Sequence, residues 1–102
     1  MIVRSRDGVA LRLTDERWTH ITKGHPEMAE EKERVLETAA DPDLIQEGDG
    51  GELLAIRFYE KTPLTRKHLV VPYKEVTQDD GFILTSYFTG EPSRTRKTIW
   101  KR

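Results

Sequence analysis

Residues 14–27, from Thr14 to Glu27, read T-D-E-R-W-T-H-I-T-K-G-H-P-E. The punctuation of this stretch decides how the first half of the chain is built. Thr14 is a good N-cap, and Asp15 and Glu16 put negative charge in the first turn, where the helix dipole favours it. Trp18 and Ile21 lie three residues apart and can face one core. His20 follows Glu16 by four residues and shares its flank of the helix. Gly24 suits a helix stop, and Pro26 suits the first position of the next helix. The spacing predicts a helix over about 15–23, a junction at His25 and a second helix behind it. One histidine on a helix and another at a tight junction form a candidate acid–base pair, His20 and His25.

Upstream of this stretch, Val9, Leu11 and Leu13 alternate with Ala10 and Arg12, the period of a half-buried strand. Asp7-Gly8 is a turn signal, and Ile2-Val3-Arg4 supplies a partner for a hairpin. Downstream, Met28, Lys32, Val35, Leu36 and Ala39 form an apolar stripe at helical spacing over about 27–40, with the lysine able to snorkel. Asp41-Pro42 reads as a new start, a short helical turn from which Leu44 and Ile45 pack inward. E-G-D-G-G, Glu47 to Gly51, is a loop.

The second half reads as strands. Residues 52–60, 67–73 and 82–89 alternate, separated by connections that hold Pro63, Asp79-Asp80-Gly81 and Gly90-Glu91-Pro92-Ser93. Pro72 ends its strand or lies at an edge. The tail from Arg94 forms a final edge strand or stays mobile, with Ile99 and Trp100 anchoring its end. Leu54, Ile56, Phe58, Phe82, Leu84 and Phe88 are assigned to one, core-facing side of the sheet. Arg57, Tyr59, His68, Thr85 and Tyr87 are assigned to the other, wet side. The expected fold is α+β: N-terminal helices packed on one face of a mostly antiparallel sheet of roughly three to five strands, with residues 1–102 as a single domain.

Composition narrows the function classes. Charged residues make up 34% of the chain and hydrophobic residues 35%, but the apolar ones fall in ordered runs, so a folded domain is expected rather than a disordered one. With no cysteine, disulfide frameworks and thiolate metal sites are excluded. No apolar stretch is long enough to span a membrane and the N-terminus lacks a signal-peptide core, which predicts a cytoplasmic protein. The formal net charge is -1, unevenly distributed: glutamates crowd residues 27–37, while Arg94, Arg96, Lys97, Lys101 and Arg102 make the tail basic. Such a division fits a nucleic-acid face on one side only, or two ordinary solvated surfaces. No phosphate-cradling glycine loop, dinucleotide fingerprint, zinc-binding H-E-x-x-H or nucleophile elbow is present, so no cofactor is expected.

What remains is a set suited to metal-free RNA cleavage. His20, His25 and His68 are the only histidines, and histidine exchanges protons near neutral pH. Arg57, Arg66 and Lys67 can hold phosphate, Thr85 and Tyr87 can donate hydrogen bonds, and Tyr59 or Tyr87 can stack on a base. Taken singly, each is an ordinary surface residue. The spacing of the three histidines matches no compact metal motif, so no metal is expected.

L-T-D-E-R-W-T-H-I-T-K-G-H-P-E-M, V-L-E-T-A-A-D-P-D-L-I, K-H-L-V-V-P-Y, F-I-L-T-S-Y-F-T and the terminal I-W together resemble a family of small phage- and bacteria-associated domains of the barnase–EndoU–colicin E5/D–RelE-like nuclease superfamily. The resemblance covers roughly residues 9 to 100. It implies a barnase/RelE-like fold and a metal-independent ribonuclease, toxin-like or phage-associated, that cleaves RNA by 2′-hydroxyl attack. The implied catalytic residues are His20, His25, Thr85 and Tyr87. Arg57, Tyr59, Arg66, Lys67 and His68 are the expected substrate-binding set. The implied partners are tRNA or mRNA and an antitoxin or immunity protein, and the Ile99-Trp100 tail or an open sheet edge leaves room for a homodimer. The near-neutral charge departs from the basic character of a free-standing RNase toxin. A catalytically inactive protein-interaction or RNA-binding module of the same fold is the alternative.

Overall fold

A tight turn at Asp7-Gly8 folds the N-terminus back on itself. In the computed structural model, which describes residues 1–102, β1 (Ile2–Arg4) pairs antiparallel with β2 (Ala10–Arg12). Gly8 has a φ of 84°, a left-handed conformation that a side chain would strain. Helix α1 (Asp15–Gly24) follows, and the Thr14 hydroxyl accepts the Arg17 N–H at its start, as the capping argument expects. Ile21 is buried and Trp18 packs beside it on the same core.

The second helix is shorter than the apolar stripe predicts. Pro26–Met28 forms one 3-10 turn, and α2 begins only at Lys32, running to Ala40. Glu27, Glu30 and Glu31 would stack like charges along one continuous helix face, which disfavours that arrangement. The break still drives Met28 fully into the core. Val35 and Ala39 are buried below it, and Lys32 snorkels with its ammonium 5.8 Å from the Trp18 ring centre.

Leu44 and Ile45 are not helical. They belong to β3 (Leu44–Glu47), which pairs with β4 (Leu53–Phe58) across the glycine-rich loop. Pro42, buried before the strand, ends the helical run, and pairing with β4 satisfies the backbone of the segment that follows. β5 (His68–Glu75) pairs with β4 along its length.

The predicted strand over 82–89 is two strands, β6 (Gly81–Ile83) and β7 (Tyr87–Thr89), both antiparallel to β5. Tyr73 faces Ile83 while Val70 faces Tyr87, so one extra residue is inserted between them. The cause sits opposite. The Pro72 carbonyl accepts the Leu84 N–H, so the proline nitrogen, which has no hydrogen to donate, faces the interruption. The tail forms β8 (Thr98–Lys101) on the outer side of β3.

The sheet therefore has eight strands, more than expected, in the order β1-β2-β6-β5-β4-β3-β8, with β7 beside β5. All pairs are antiparallel except β2 with β6. Gly81 permits that parallel contact: a Cβ there would lie 2.4 Å from the Lys74 carbonyl oxygen and 2.8 Å from Leu11 Cδ2. The fold is thus α+β, two helices on a mostly antiparallel sheet. No helix is long and apolar enough to cross a membrane.

The expected sheet faces are partly inverted. The helix-covered core takes Ala55, Leu69, Val71, Tyr73, Ile83 and Phe88, with Leu53 and Tyr59 packed against it. Leu54, Ile56 and Val70 form a separate small cluster on the opposite face, joined by Leu44 and Tyr87. Phe82 and Leu84 are only half-buried and Phe58 is exposed. β4 reads L-L-A-I-R-F, apolar on both sides, so alternation alone could not choose its inner face.

Candidate functional site

The helix-free face carries a cleft of about 190 Å³. Its floor is Leu54, Ile56 and Val70, and its sides are Tyr87 and Thr89 from β7 and the loop that follows. That loop is pinned from several directions. The Ser93 hydroxyl accepts the N–H groups of Thr95 and Arg96, closing a turn. The Gln46 amide nitrogen donates to the Ser93 carbonyl at 2.9 Å. Arg96 grips Asp49 through both terminal nitrogens, at 2.9 and 3.2 Å, which holds the guanidinium above its ordinary range. Asp49 belongs to the β3–β4 loop, where the Gly50 N–H bonded to Glu52 keeps that carboxyl below the usual range.

β7 pairs only with β5, so its other edge is unpaired. His25, at the junction between α1 and the 3-10 turn, meets Tyr87 there: the rings stack with centroids 6.1 Å apart and planes 30° from parallel. Glu27 lies 3.8 Å from His25 Nδ1. The Tyr87 hydroxyl makes no hydrogen bond within the protein, and Tyr87 and Arg96 both line the cleft. On the β5 side, His68 sits directly across from Thr89. Its Nδ1 lies 2.9 Å from the Gly90 carbonyl oxygen, and because a carbonyl only accepts, Nδ1 donates and leaves Nε2 free. Phe58 packs edge-on against the His68 ring at 5.4 Å.

Of the residues singled out in the sequence, His25 thus contacts Tyr87 at β7, and His68 flanks the same strand from β5. The others do not join them. His20 is exposed on α1 and makes no side-chain hydrogen bond or ion pair. Thr85 lies half-buried in the link between β6 and β7, outside the cleft lining. Arg57 and Tyr59 point to the helix side, a correction to the face assigned them. Arg57 donates to the Asp41 carbonyl and carboxylate at 2.7 and 2.9 Å. Tyr59 donates to Glu37 at 2.6 Å under the Arg34 guanidinium, and burial with that bond pushes its pKa up to about 12. The reason is parity: Arg57 pairs with Leu69, on the helix side, while Phe58 pairs with His68, on the open side. Lys67 is paired with Glu60 at 3.2 Å, and Arg66 lies in a shallow depression of the loop between β4 and β5.

Gln46, Ser93 and Arg96 are cleft residues that the sequence did not single out as such. Arg96 was visible only as one of five basic tail residues; its place depends on Asp49, far away in the chain. A single Gln in a strand gives no signal at all. No three His, Asp or Glu side chains gather closely enough to hold a metal ion. Compared with protein-family models, curated proteins and solved structures, the chain matches none.

Proposed function

We propose that the protein is a metal-independent RNA endonuclease of the barnase/RelE-like type, with its site on the helix-free sheet face. The stacked His25–Tyr87 pair carries this reading. It joins a histidine of the N-terminal helical part to a strand hydroxyl at the mouth of a cleft with an apolar floor, which is the combination the resemblance implies. His68, on the other side of β7, supplies a second imidazole with a free Nε2. One imidazole takes the proton of the ribose 2′-hydroxyl, whose oxygen attacks phosphorus. The other gives a proton to the leaving 5′-oxygen, and the product is a cyclic phosphate. The Tyr87 hydroxyl donates to a phosphoryl oxygen, and the cationic edge of Arg96 counters the charge that develops there. Toxin-like use of this activity implies restraint by an antitoxin or immunity protein that covers the cleft.

The test is cleavage of total tRNA and of an unstructured RNA by the purified protein in excess EDTA. His25→Ala and His68→Ala should each lose about 10²–10⁴-fold in rate, the usual worth of a positioned acid or base. His20→Ala should match wild type. No cleavage by folded wild type, or full activity in both cleft-histidine variants, refutes the proposal. One observation favours a second reading, RNA binding without cleavage. Arg94, Arg96 and Lys97 are all already paired with carboxylates, which limits the charge free to grip a backbone. That reading predicts RNA retention in a gel-shift assay with no new product.

A further inference from the structure

Gln46, one of the residues that line the cleft, carries a buried polar atom that the protein leaves without a partner. Gln46 is 2% exposed and lines the cleft beside Leu54, its cross-strand neighbour. The orientation of its amide is chemically determined. The Ser93 carbonyl can only accept, so the atom facing it is the nitrogen. Nε2 also reaches the Thr98 hydroxyl at 3.3 Å. Oε1 is then the free end of the amide, buried and with no hydrogen bond. Buried side-chain acceptors are normally satisfied, and one that is not needs a reason. A break in register supports a local purpose. Ile45 faces Trp100 but Gln46 faces Thr98, so Ile99 is inserted as a bulge beside this side chain. Bulges of this kind re-aim side chains next to binding sites.

We infer that the cleft is a nucleobase pocket in which Gln46 Oε1 accepts an N–H from the edge of one RNA base. The inference rests on the reading of this face as an RNA site and adds the group that the cleft itself takes. A volume of about 190 Å³ is below the range of about 300–1,000 Å³ for drug-sized ligands, so it fits a single ring system. The floor of Leu54, Ile56 and Val70 and the Tyr87 ring offer apolar and aromatic contact to a flat heterocycle. An unpartnered acceptor on a lining residue favours a group that donates. It repels phosphate and carboxylate oxygens, so the phosphate belongs at the histidine-flanked rim and the base inside.

The experiment titrates isotope-labelled full-length chain with uridine, cytidine, adenosine and guanosine monophosphates, following amide signals by NMR. The nucleotide that binds tightest is then compared with its analogue methylated on the base N–H groups. The expected result is shifts confined to residues around Gln46, Tyr87 and Ser93, and at least about tenfold weaker binding of the methylated analogue. Gln46→Met should abolish the difference between the two. Should that variant unfold, the analogue comparison on wild type still decides. Equal binding of both nucleotides, shifts elsewhere, or no binding of any nucleotide overturns the pocket. Failure of the pocket is distinct from failure of the nuclease. RNA cleavage without base preference and without nucleotide binding removes the pocket alone, while nucleotide binding by a protein that cleaves nothing upholds it and removes the nuclease.

Discussion

The guanidinium of Arg6 lies 4.6 Å from the centre of the Trp100 ring, so the tip of the first hairpin touches the last strand. β1 and β8 are the two ends of the sheet order, and this contact ties them across the helix-covered side. The sheet is therefore curled, and its helix-free side is left for the cleft. Arg6→Ala should lower unfolding free energy by about 0.5–1 kcal/mol, the worth of an exposed cation–π contact. Trp100→Leu should remove the same increment, and a double-mutant cycle by chemical denaturation should show the two losses to be coupled rather than additive.

Tyr59 is a structural residue on the helix side. Its hydroxyl bonds Glu37 and the fully buried Thr38, which has no other partner. Tyr59→Phe should cost about 1–3 kcal/mol, because the Thr38 hydroxyl is left unsatisfied. RNA cleavage per folded molecule should not change, in contrast to Tyr87→Phe.

The same tyrosine makes stability fall in alkali. Burial and the Glu37 bond raise its folded pKa from 10.0 to about 12. A raised folded value means that the folded state keeps a proton that the unfolded chain releases. The contribution is complete below pH 10 and is lost as pH rises through about 12. Denaturation midpoints across that window should fall for wild type and fall less for Tyr59→Phe.

Asp41 has the opposite dependence. Hydrogen bonds from Arg102 and then Arg57 hold its carboxyl below the ordinary value of 3.8. With a depressed folded pKa, its stabilising contribution is present above the unfolded value and disappears as pH falls through the folded one. Asp41→Asn should therefore be less stable than wild type at neutral pH, and the two acid-denaturation curves should converge at low pH.

Gly81 should tolerate no side chain. The Lys74 carbonyl at 2.4 Å is backbone and cannot swing aside. Gly81→Ala should destabilise by about 1–3 kcal/mol, the cost of overpacking, and thermal unfolding should detect it directly. Gly90→Ala, with open space at its Cβ, should be close to neutral.

The legible parts of the fold were those decided within a few residues. The Thr14 cap, the Asp7-Gly8 hairpin and the break at Gly24–Pro26 each depend on a local donor, a permitted φ or a missing N–H. Strand alternation located β4 and β5 for the same reason. The candidate cleft and its surroundings were legible only in part. His25, Tyr87 and His68 carry side chains whose chemistry is recognisable in isolation, whereas Gln46 and Ser93 matter only through each other.

What the sequence by itself determined is the α+β order of elements, hairpin then helices then strands, because capping, turn and period are short-range properties of the chain. The tertiary structure decided which side of each strand is inside and which residues share a cleft. β4 is apolar on both sides, and a one-residue insertion opposite Pro72 sets the faces of β6 and β7 relative to β5. Parity along a strand is a relative quantity, and only pairing with a neighbour and packing under the helices gives it an absolute direction.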